Sequence, residues 1–143
     1  MEKPPPHVLE LMRRLLAIPG EVVDAAVVTA RMETRYRELW ALLSGIIGTG
    51  GMLAITQRAL FLATREHPWM ASVQATREGA LPGMVDAVTG EGSTVGGEGC
   101  AGLLANIVFL LVTFTGGGLT SRLIQRAWPE LGPVDLSAKT GDP

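Results

Sequence analysis

Apolar side chains recur along most of this chain at intervals of three and four residues, the spacing that puts them on one face of an α-helix. After Pro4-Pro5-Pro6, which favour extended backbone, Val8, Leu11, Met12, Leu15 and Leu16 form one such face, with Glu10, Arg13 and Arg14 opposite. Pro19-Gly20 is read as the end of this first helix. A clearer stripe runs through Val28, Met32, Tyr36, Leu39, Leu43 and Ile46, with Asp24, Arg31, Thr34, Arg35 and Glu38 away from it. It predicts a helix over 21–47, halted by Gly48-Thr49-Gly50-Gly51, because a glycine costs about 1 kcal/mol against alanine inside a helix. A third helix is predicted over 52–67, since Pro68 disfavours helical backbone at His67.

Shorter helical turns follow around Trp69, Met70 and Val73, and again from Leu81 to Val88, closed by Gly90. Half of residues 90–99 are glycine, which predicts a flexible loop joining two helical halves. The most apolar helix comes next, over 101–115, and is interrupted by Gly116-Gly117-Gly118. Leu119, Leu123 and Ala127 then continue at helical spacing until Pro129, and 129–143 is read as a flexible tail. No segment alternates as a strand would. The fold class is therefore all-α: a compact bundle of five to six helices in a single domain over 1–128. Both halves contain an apolar helix broken by clustered glycines, at 48–51 and 116–118, but the flanking residues do not align, so no internal repeat is read from them.

Composition narrows the function classes. The 143 residues are 47% apolar and 18% charged, with mean hydropathy +0.28; this excludes a disordered chain, a collagen-like repeat and a disulfide scaffold. The net charge of −2 and the lack of a clustered basic surface argue against a nucleic-acid partner. The one cysteine, Cys100, has no cationic neighbour in sequence and reads as a small buried hydrophobe. The first residues lack the pattern of a secretory signal, so a cytoplasmic location is expected.

Two stretches, 39–57 and 99–121, carry no charged residue and are about long enough to cross a bilayer. In the second, ten large apolar side chains favour insertion by about 3 to 6 kcal/mol, which Asn106, the threonines and the glycine triplet offset. The reading adopted is a soluble bundle whose central helix is buried all round; the alternative is a small membrane protein with a helical hairpin.

Chemistry-bearing patterns are sparse. Gly92 to Gly99 spaces its glycines as a phosphate loop does, but Glu98 stands where the phosphate-binding lysine belongs and no strand precedes it. His7 and His67 lie far apart, and Glu33, Glu38, Glu66, Asp86 and Glu98 are not paired in sequence with an orienting group. No catalytic, cofactor or metal site is assigned, and a ligand-binding or catalytic bundle ranks below the two readings above. The second helix also carries Val22, Val23, Val27, Trp40, Leu42 and Ile47 off its stripe, a wider apolar arc than one neighbour covers. This predicts a homodimer acting by protein–protein contact, as an adaptor, regulator or structural piece. Trp40, Leu42, Trp69 and Trp128 are its candidate interface residues.

Overall fold

The computed structural model describes residues 3–16 and 24–136. Among them there are five α-helices and no strand: α1 (Pro6–Leu16), α2 (Ala25–Glu66), α3 (Met84–Glu91), α4 (Ser93–Thr115) and α5 (Gly117–Ala127). Short 3-10 turns follow α2 at Pro68–Ser72 and α5 at Pro129–Leu131. The all-α bundle is thus the observed architecture. The predicted stop at Pro19-Gly20, the residues Val22 and Val23, and the tail beyond Leu136 lie outside the described residues.

The chain reverses inside α2. Gly48 has φ 84° and ψ 158°, a conformation essentially reserved for glycine, and it divides the helix into arms over 25–47 and 49–66. Tyr36 Oη and Thr56 Oγ1 are 2.9 Å apart, whereas a straight helix would separate residues twenty apart by about 30 Å. The two arms therefore form a hairpin. Asp24 caps the first arm by accepting a hydrogen bond from the Val27 amide at 3.0 Å.

A second hairpin repeats the first. Its rising arm, α4, has the 23-residue length of 25–47, and it ends at Gly116, whose φ 87° and ψ 156° match those of Gly48. With 68 added to each residue number, the buried positions Met32, Tyr36, Leu39, Trp40 and Leu43 become Cys100, Leu104, Ile107, Val108 and Leu111, all buried as well. The descending arms finish alike. His67 (φ −130°, ψ 77°) and Trp128 (φ −132°, ψ 74°) each precede a proline and a 3-10 turn. The buried Ala59, Leu60, Leu62, Ala63 and Met70 correspond there to Thr120, Ser121, Leu123, Ile124 and Leu131. The second descending arm has 11 residues against 18 for 49–66, a difference of about two turns that keeps the same face inward. The chain is an internal structural repeat that sequence comparison of the two halves misses. What recurs is backbone geometry and burial, while the side chains on that frame differ.

The two rising arms lie side by side. A Cβ on Gly97 would meet Val28 Cγ1 at 4.0 Å, and seven residues further along, Trp128 Nε1, folded back along α4, donates to the Arg35 carbonyl at 3.1 Å. This constant register makes 25–47 and α4 parallel and puts both glycine turns at one end of the bundle.

Three expectations are corrected. Residues 90–99 are not a loop: only Gly92 (φ 93°, ψ 168°) leaves the helical path, between α3 and α4. Packing overrides low helix propensity here. A Cβ on Gly96 would come within 2.7 Å of Val88 Cγ1, and one on Gly99 within 2.2 Å of Trp69 Cζ2, so these glycines let α3 and Trp69 close onto α4. Likewise each glycine cluster breaks its helix at one residue, Gly48 or Gly116, and the next glycines are helical. Finally, the described part of the tail is tied down. Leu131 and Leu136 are buried, the Val134 amide donates to Gln125 Oε1 at 2.6 Å, and the Leu136 amide donates to Ser121 Oγ at 2.7 Å.

Candidate functional site

The glycine-turn end of the bundle is the part of the surface least like that of an ordinary soluble domain. On the first hairpin no charged residue occurs from Leu39 to Gln57, so both sides of the turn at Gly48 are uncharged; on the second the uncharged stretch is 99–121, around Gly116. At this end Ile46 is 52% exposed and Phe114 68% exposed, and Leu119 is also exposed. Ile46 and Phe114 are equivalent positions of the repeat, each two residues before its turn glycine. Val27 and Val95, exposed at the opposite ends of the same arms, are another such pair. These two pairs follow the two-fold pattern of the fold, whereas the exposed Phe61, Val85 and Leu119 have no exposed apolar counterpart in the other hairpin.

The tryptophans serve other ends. Trp128 is fully buried and hydrogen-bonded to the Arg35 carbonyl, so it has no surface to give a partner. Trp40 is buried too: its ring stacks at a tilt on Tyr36, with centroids 6.2 Å apart, and packs on Gly79. The wide arc inferred for the second helix is therefore covered from within the chain at Trp40, by the segment between the first 3-10 turn and α3. Leu42 is half-buried against the core. Trp69 is half-buried over Gly99, and its buried indole Nε1 has no hydrogen-bond partner among the described residues. The exposed residues Ile46 and Phe114 were visible in sequence only as ends of apolar stripes; that the stripes end in sharp reversals at a shared end was not.

Ionic groups lie away from this end. Arg13 on α1 clamps Glu98 on α4 through Nε at 2.8 Å and Nη2 at 2.8 Å, and also meets Glu10 at 3.2 Å. The Arg13 hydrogen bonds hold the Glu98 carboxyl below its usual 4.5, and Glu98 in turn raises the Arg13 guanidinium. Glu98, out of place in a phosphate loop, is instead the anchor that docks α1. Arg35 joins Glu38 at 3.1 Å and Glu130 at 3.0 Å. Its partial burial opposes the charge, but the two carboxylates prevail and raise its pKa. Cys100 is fully buried, and burial pushes its thiol up to about 12, which leaves it no thiolate for chemistry near neutral pH. Among the described residues, no three His, Cys, Asp or Glu side chains gather as a metal site.

Comparison with known protein families, curated proteins and solved structures finds no match to this chain.

Proposed function

We propose that this protein acts by protein–protein contact and self-associates through its glycine-turn end. The single observation that carries this reading is the exposed Ile46 and Phe114 pair on a surface without charge. Water gains about 25 cal/mol for each Å² of apolar surface withdrawn from it, and no carboxylate or cation here has to be desolvated when a partner arrives. A second copy is the occupant favoured by symmetry. An isologous dimer buries the same patch on both copies, so one uncharged apolar end serves both partners, and a net charge of −2 gives little repulsion between copies. Placing a lysine at Ile46 or Phe114 leaves the core untouched. Sedimentation should show the parent as a dimer at tens of micromolar, with Ile46→Lys and Phe114→Lys each shifting it to monomer. A parent that is monomeric throughout refutes the reading.

One observation favours a second reading, contact with a bilayer through the same end. Both α2 and α4 are long and apolar enough to cross a membrane by length and composition. The most apolar 18-residue window of α4 is 67% buried within the bundle, as in the core helix of a soluble protein, but that of α2 is only 28% buried. Flotation with phosphatidylcholine vesicles separates the readings. The dimer stays at the bottom of the gradient, whereas a membrane-seeking end floats and loses this property with Phe114→Lys.

A further inference from the structure

The charges below the glycine-turn end form a pattern of their own. Three arms lie around the buried α4, namely 25–47, 49–66 and α5, and each carries exposed arginine at a similar level. Arg37 stands eleven residues before Gly48 and Arg58 ten after it, while Arg122 and Arg126 stand six and ten after Gly116. At about 1.5 Å per residue, these positions are about 9 to 16 Å from the turns along their arms. None of the four guanidinium groups is ion-paired among the described residues.

The carboxylates at or just below this level are taken up or offset. Arg35 holds both Glu38 and Glu130, at 3.1 and 3.0 Å. Arg77 and Glu78, brought up by the packing of Gly79 on Trp40, cancel in charge. Asp135 is engaged, and by none of the four arginines. With all of these counted, six cations face four carboxylates, in a chain whose net charge is −2. Between this belt and the turns the surface is uncharged, with Ile46, Phe114 and Leu119 exposed. Arg58 lies over the exposed Phe61 ring, 5.2 Å from its centroid, an apolar body under a charged head as suits a boundary between apolar and polar media.

An uncharged cap of this depth matches one leaflet, since half of a bilayer's hydrocarbon core is about 15 Å thick. It does not match a span. A spanning helix needs about 20 apolar residues, whereas the uncharged run next to the turn is nine residues on 25–47, nine on 49–66 and five on α5. A second copy covers the turns but brings no anion to the belt; phosphate headgroups do. We infer that the glycine-turn end inserts into one leaflet of an anionic phospholipid bilayer, with Arg37, Arg58, Arg122 and Arg126 on the headgroup phosphates. This rests on the reading of that end as the contact face, and it makes the bilayer and the second copy alternative occupants. Each arginine held near an anionic surface is worth about fivefold in partition.

Flotation of the full chain with phosphatidylcholine vesicles, and with vesicles of equal parts phosphatidylcholine and phosphatidylglycerol, tests the inference. The parent should bind the mixed vesicles more than about tenfold tighter than phosphatidylcholine alone. Arg58→Gln with Arg126→Gln should weaken that binding about 25-fold and keep the parent's mass in vesicle-free buffer. Arg14→Gln with Arg65→Gln, the same charge change further from the turns, should weaken it less than about twofold. Phe114→Gln should weaken it as well, because the apolar cap carries the insertion. Equal binding to both vesicle types would overturn the belt while leaving bilayer contact standing. Equal losses in the two double variants, binding unchanged at about 0.5 M NaCl, or displacement by millimolar glycerol phosphate would each overturn it too. A parent that is monomeric in buffer refutes self-association alone, since the preference between vesicles is read without it.

Discussion

At the scale of single residues, the fold rests on two glycines whose role is conformational rather than spatial. Nothing lies within 4 Å of a Cβ built on Gly48 or Gly116, yet both hold φ above 80° with extended ψ. Alanine at either position should destabilise by about 1–3 kcal/mol through backbone strain alone. Gly45, three residues earlier, is helical and equally open, so Gly45→Ala should stabilise by about 0.5–1 kcal/mol. Urea melts of the three variants check both signs, and the same sign for Gly45→Ala and Gly48→Ala would refute the assignment. Glycines are conspicuous in the sequence, but their letter carries no sign of φ. Gly48 turns the chain, Gly50 continues a helix, and Gly99 makes room for Trp69. Those three roles separate only once the neighbours are in place.

At the scale of elements, helical periodicity located all five helices but misjudged their ends. The stripe from Val28 to Ile46 and the apolar run over 101–115 were legible because burial on one face, or on all faces, imposes a spacing on the sequence. The start of α4 was not. Ser93 to Gly99 has poor intrinsic propensity, and its helix is held in part by long-range contacts to Trp69 and Arg13 that no local window contains. The Arg13–Glu98 pair makes α1 docking sensitive to pH. The Glu98 carboxyl is lowered in the folded state, so its contribution is fully present above its ordinary value of 4.5 and is lost as pH falls through the depressed one. Hydrogen exchange of α1 amides should therefore accelerate relative to those of α4 below about pH 4.5, and Glu98→Gln should abolish that difference. The pair is half-exposed, so the effect on global stability should be small. An α1 that exchanges in step with α4 at every pH would show that the pair does not govern docking.

At the scale of the whole molecule, two similar hairpins set in parallel bury α4 at the centre and bring both turns to one end. The all-α class and the buried centre were readable from the sequence, whereas the duplication and its shared uncharged end were not, because hairpin reversal depends on two dihedral angles. Leu111, 1% exposed on α4, tests the buried centre: Leu111→Asp should cost several kcal/mol, comparable with the whole stability of a domain this size, and erase the cooperative thermal transition. A shift of only a few degrees would mean that α4 faces solvent or lipid. The central claim, a bundle that associates through its glycine-turn end, is tested most directly by the mass of the parent protein. We predict that light scattering in detergent-free buffer at tens of micromolar gives a single species of twice the 15.1 kDa chain mass. A monomer under those conditions, or a protein extracted only with detergent, would contradict it.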